Sequence, residues 1–153
     1  MKNSPSRDGS VLCPSAQADW HGSVAIGVVG GTANESRLTH LPNTLPVTDS
    51  LIALTRPVTP TEVFRFAAPC RRDRCLHFET EECQLAKRIV RLLPPVTGEL
   101  PICAIRPQCR WWQQEGTTAC LRCPQVVTDN YNPSEAMCEA AMPPDFSHSG
   151  KSA

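Results

Sequence analysis

Nine cysteines stand in a chain of 153 residues, and seven of them fall between positions 70 and 123. That crowding constrains the fold more than any other feature, because cysteines at such density are either cross-linked or bound to metal. They run Cys70-x4-Cys75-x-His77-x5-Cys83, then Cys103-x5-Cys109-x10-Cys120-x2-Cys123. The compartment decides between the two uses of sulfur. The opening residues are polar, with one early lysine and no apolar stretch of the kind a secretory leader carries. Val24 to Val29, the longest apolar run, is far short of a membrane span, and neither end carries a lipidation pattern. These features point to the cytoplasm and to no membrane. In a reducing compartment a disulfide framework is not expected, and an odd count leaves a thiol over from any complete intramolecular pairing. Metal binding is therefore the expected use.

Ligand type and spacing bear on which metal. A structural zinc site takes two tight cysteine pairs, each separated by two to four residues. The second group has one such pair, Cys120 and Cys123, whereas Cys103 and Cys109 stand five residues apart, a looser arrangement that a larger cluster spans more readily. A [4Fe–4S] cluster on Cys103, Cys109, Cys120 and Cys123 is the expectation, and zinc on the same four is the alternative. The first group offers Cys70, Cys75, His77 and Cys83, a set that suits a second metal or contributes to a shared site. Cys83 falls in the first turn of a predicted helix, where free amides favour a thiolate. Cys13 and Cys138 lie away from both groups and read as free thiols.

Charge and rings support an anionic site. The whole chain is neutral, with fifteen basic and fifteen acidic residues. Between Arg56 and Gln125, however, eleven basic residues face seven acidic ones, a balance of +4 that the rest of the chain offsets. Four thiolates around a [4Fe–4S] core leave a negative charge, which Arg106, Arg110 and Arg122 are expected to stabilise. Trp111 and Trp112 follow Cys109-Arg110 directly, and two indoles beside a site would shield it from water. Gly116 is expected to permit the turn that brings Cys120 back towards Cys109.

The remaining sequence predicts a small, irregular α+β fold: metal-stabilised, with cysteine-rich loops, a few short helices and a weak β-hairpin. Residues 1–20 and 133–153 read as disordered tails around a domain at 21–132. Ser23 to Val29 and Ser36 to Leu41 are two candidate strands joined around Gly30 and Gly31; no Gly-Lys-Ser/Thr follows, so a phosphate loop is not indicated. Thr48 or Asp49 can cap a helical turn. Thr59-Pro60-Thr61-Glu62 has the form of a capping box and starts a short helix that ends before Pro69. Glu79 to Leu93 predicts the clearest helix, with Thr80 as its cap, Glu81 and Glu82 in its first turn, and Leu85, Ile89, Leu92 and Leu93 as its apolar stripe. From Leu100 to Pro124 no period is long enough to predict a helix or strand.

Hydrolase, kinase and dehydrogenase motifs are absent, so catalysis is not the expected role. The sequence points to a small cytoplasmic iron–sulfur protein that transfers electrons or senses redox state for a protein partner. The alternative is a structural zinc module that binds protein, or nucleic acid through the basic stretch at 71–91.

Overall fold

A computed structural model describes residues 11–32, 35–129 and 133–142. The chain is a mixed α+β protein built on a four-stranded antiparallel sheet with several short helices around it. The strands are β1 (Leu12–Ala16), β2 (Val24–Gly31), β3 (Ser36–Pro46) and β4 (Phe64–Pro69), in the order β1-β4-β2-β3. The hairpin expected around the glycines is thus β2–β3, extended to Pro46 and joined by two further strands. Gly27 has a steric reason to be glycine: a Cβ there would stand 2.7 Å from Leu38 Cδ1. The register shifts between Ala25 and Gly27 on both sides of β2, and Gly27 lies opposite Arg65 of β4.

Strand β4 sits inside the sheet, and its alternation sorts residues between two cores. Phe64, Phe66 and Ala68 join Ala16, Ala25 and Leu51 on one side. Ala67 joins Ile26 and the helices of the cysteine region on the other. Arg65, on the second side, is 1% exposed. Burying each large apolar side chain here contributes about 1.5–3 kcal/mol.

Two short helices lead into β4. In α1 (Asp49–Ala53) the Thr48 hydroxyl accepts from the Leu51 amide at 3.1 Å, and α2 (Pro60–Val63) carries the capping box of Thr59 and Glu62. The helix foreseen from Glu79 begins later. Thr80 and Glu81 have φ of 53° and 65°, and they form the two-residue turn between β5 (Phe78–Glu79) and β6 (Glu82–Cys83). Two consecutive left-handed residues suit such a hairpin turn, and they take Glu81 and Glu82 out of the helix. Helix α3 (Gln84–Leu92) follows with Cys83 at its N-cap position and buries Ala86 and Ile89. In the cysteine-rich segment, α4 (Arg110–Glu115) and α5 (Thr117–Cys120) replace the expected loop. Gly116, at φ 70°, makes the break between them.

Both presumed tails take part in the fold. Strand β1 lies within residues 1–20, because Leu12 and Cys13 pair with Pro69 and Ala68 of β4. Helix α6 (Glu135–Ala141) lies within 133–153 and packs Met137 and Ala140 into the core against α3, and Arg88 Nε donates to the Ala140 carbonyl at 2.8 Å. The rest of both stretches lies outside the described residues. No described helix is long and apolar enough to cross a membrane.

Candidate metal centres

All nine cysteines are free thiols, and eight of them line two separate small cavities, four to each. The first cavity gathers Cys103, Cys109, Cys120 and Cys123. A 3-10 turn at Arg106–Gln108 folds the chain back between Cys103 and Cys109. Cys109 occupies the N-cap position of α4, Gly116 reverses direction, Cys120 closes α5, and Cys123 opens a further 3-10 turn, Cys123–Gln125. These four are the residues that the sequence groups together.

Arg65 was not foreseen, yet it is the most heavily bonded side chain in this wall. Its Nε donates to the Pro14 carbonyl at 2.7 Å, and its Nη1 to the carbonyls of Cys123 and Val126 at 2.8 and 2.9 Å. Its Nη2 donates to Cys123 Sγ at 2.6 Å, and its guanidinium lies 5.4 Å from the Trp111 ring centre. Among the described residues no carboxylate forms an ion pair with it. The available signal was one cation inside the apolar run Phe64-Arg65-Phe66-Ala67-Ala68. Arg106 lines the same cavity and donates to the Pro101 carbonyl, while its own buried Nε has no partner. Burial pushes the Cys120 thiol up, opposed by the Arg106 side chain. Burial pushes the Cys109 thiol up to about 12, opposed by the amides of Trp112 and Trp111. His40, also on this wall, is held down to about 4 by burial and by Arg65 and Arg106.

The second cavity gathers Cys70, Cys75, Cys83 and Cys13. Strand pairing sets Cys13 beside Ala68, and the Cys70 amide donates to the Val11 carbonyl at 2.8 Å, so two thiols distant in sequence meet at one sheet edge. A 3-10 turn at Arg72–Arg74 then brings round Cys75, whose Sγ lies 3.4 Å from the His77 amide. The Cys83 backbone is clamped by the Gln114 side chain, which accepts from its N–H at 2.8 Å and donates to its carbonyl at 2.9 Å. Burial pushes the Cys13 thiol up to about 12, and the charges of Cys83, Cys70 and Cys75 add to that rise.

His77 does not face this group. Its Nδ1 lies 2.8 Å from Arg88 Nη2, and burial followed by the Arg88 charge holds it down to about 4, so it is a neutral acceptor near pH 7. The fourth side chain here is Cys13, drawn in by a strand pairing that local sequence does not reveal.

Of the other foreseen site residues, Arg110 and Trp111 line the second cavity, and Trp111 lines the first as well. Arg110 stacks over Phe78 at 5.4 Å, and its buried Nε and Nη2 have no hydrogen-bond partner. Trp111 is 1% exposed, and its Nε1 is likewise unpartnered. Trp112 belongs to neither wall; it packs against the core with Arg106 over its ring at 5.6 Å. Arg122 points elsewhere, tying the Leu93 and Thr118 carbonyls together at 2.7 and 2.8 Å. Cys138 is exposed on α6, away from both groups.

Much of the basic stretch at 71–91 is engaged within the molecule. Arg71 lies over Trp20 at 4.0 Å, Lys87 pairs with Glu82 at 3.2 Å, and Arg88 holds His77 and α6. Among the described residues no group of three or more His, Cys, Asp or Glu side chains is arranged to hold a metal ion. Buried N–H donors without acceptors nonetheless occur on both cavity walls, and buried polar groups in folded proteins are rarely left unpaired. No protein-family model, curated protein or solved structure matches the chain.

Proposed function

We propose that the protein is a small one-electron carrier that binds a [4Fe–4S] cluster on Cys103, Cys109, Cys120 and Cys123 and serves a partner protein. Arg65 is the observation that carries this reading: a guanidinium buried without a carboxylate, donating to Cys123 Sγ. A cation withdrawn from water costs several kcal/mol unless an anion compensates it. Four thiolates around a [4Fe–4S]2+ core carry a net charge of about −2, which Arg65 and Arg106 would balance. Four cysteines match the ligands such clusters take, and His40 lies on the same wall. Zinc accepts the same thiolates and is the alternative occupant. The cluster's own sulfides would also offer an acceptor to Arg106 Nε, which a lone zinc ion does not.

When bound, the cluster supplies exchange of a single electron. The chain's residues set the conditions for it. Arg65 and Arg106 favour the more negative state and raise the potential. Trp111, Ile26 and Ala119 exclude water, a wall that suits electron transfer better than sensing by cluster loss. Ile102, 76% exposed next to Cys103, offers a partner an apolar contact beside the site. The metal would also stabilise the fold, since α4 and α5 are too short to persist alone and ligation would tie their ends together. Free thiols and thiolate ligands both suit a reducing compartment such as the cytoplasm.

Anaerobically prepared protein should show broad visible absorption that dithionite bleaches and mild oxidation restores. Replacing Cys109 and Cys120 together with alanine should lower that absorption. A colourless protein that loses stoichiometric zinc in the same variant would overturn the reading in favour of a structural module.

A further inference from the structure

We infer that Cys13, Cys70, Cys75 and Cys83 hold a second [4Fe–4S] cluster, separated from the first by Trp111; the inference rests on the iron–sulfur reading of the first site. Three observations support it. The four thiols come from the sheet edge, a 3-10 turn and the start of α3, yet they line one cavity. No carboxylate or imidazole is in that wall, whereas His40 stands beside the four cysteines of the first. Its polar atoms also await acceptors: Arg110 Nε and Nη2 and Trp111 Nε1 are buried without partners. Trp111 is the residue that lines both cavities and is itself 1% exposed, so its indole N–H cannot be satisfied by bulk water.

The demand for acceptors favours a cluster over a single ion. A zinc ion on four thiolates presents only those four sulfurs, whereas a cubane adds sulfides that N–H donors reach from the side. Arg110 and Arg71, both on this wall, would offset its negative charge as Arg65 and Arg106 do in the first site. Assigning Cys13 rather than His77 as the fourth ligand follows from placement, because His77 is turned towards Arg88.

Iron and acid-labile sulfide are to be counted on the full chain after anaerobic reconstitution with ferrous iron and sulfide. The wild type should hold about eight of each per chain. Cys13→Ala with Cys83→Ala should fall to about four, as should Cys103→Ala with Cys109→Ala, and His77→Ala should keep about eight. The wild-type count decides the matter even if a variant does not fold. Saturation at about four irons that survive loss of Cys13 and Cys83 would overturn the second cluster and leave the first standing. Four irons with one zinc, lost when Cys13 and Cys83 are replaced, would also overturn it. No bound iron in the wild type would bring down the parent reading and this one together.

Discussion

The two cysteine cavities share Trp111 but differ in how the protein supports them. Around Cys103, Cys109, Cys120 and Cys123 the buried cation Arg65 is fixed in an interior strand and bonded to three carbonyls and one sulfur. Around Cys13, Cys70, Cys75 and Cys83 the corresponding cation is Arg110, held over Phe78 with two buried nitrogens unbonded. The first guanidinium has its hydrogen bonds, though not its charge, met by the chain, and it works as a structural tie between β1, β4 and the turn after Cys123. The second depends on what occupies its cavity. The principal cation of one site is therefore held by the chain, with Arg106 Nε alone left unbonded there, whereas the cation of the other is left to its guest.

The comparison predicts unequal costs on mutation. Arg65→Met leaves the carbonyls of Pro14, Cys123 and Val126 unpaired in the core, so denaturant unfolding should give a loss of about 3–5 kcal/mol. Arg110→Met breaks no such bonds and should cost about 1 kcal/mol or less. Equal losses would abolish the distinction.

A smaller effect is expected when iron is chelated from the folded protein. Amide exchange should accelerate across 70–83, where the backbone is mostly turns and a two-residue hairpin, while β4 keeps its protection. Uniform loss of protection would mean that both cavities depend on metal to the same extent.

Subtler still is a change of potential without a change of fold. Arg110→Gln removes a positive charge from one wall, so the cluster on the Cys13 side should become harder to reduce, and the other should move much less. The smallest effect belongs to Cys138→Ser: with its exposed side chain away from both cavities, it should alter stability by less than about 0.5 kcal/mol and leave the iron content unchanged.

Local chemistry was legible in the sequence. The capping box at Thr59–Glu62, the Thr48 cap, the apolar stripe of α3 and the turn at Gly116 each depend on neighbours a few residues away. The grouping of Cys103, Cys109, Cys120 and Cys123 was visible for the same reason, because short turns bring those thiols together. What escaped notice is non-local. Cys13 reaches Cys70 only through the register of β1 on β4, and Arg65 reaches Cys123 only because β4 faces the cysteine helices. Thr80 and Glu81 mislead differently: a threonine followed by acids has the composition of a helix start, but their left-handed backbone makes a hairpin turn. The C-terminal stretch has too few apolar residues to announce α6, whose order comes from packing against α3.

The most direct test is to purify the native protein anaerobically and measure iron, acid-labile sulfide and zinc on the same sample. Iron and sulfide in near-equal amounts, with zinc absent, is the predicted result. Stoichiometric zinc with neither iron nor sulfide would contradict it.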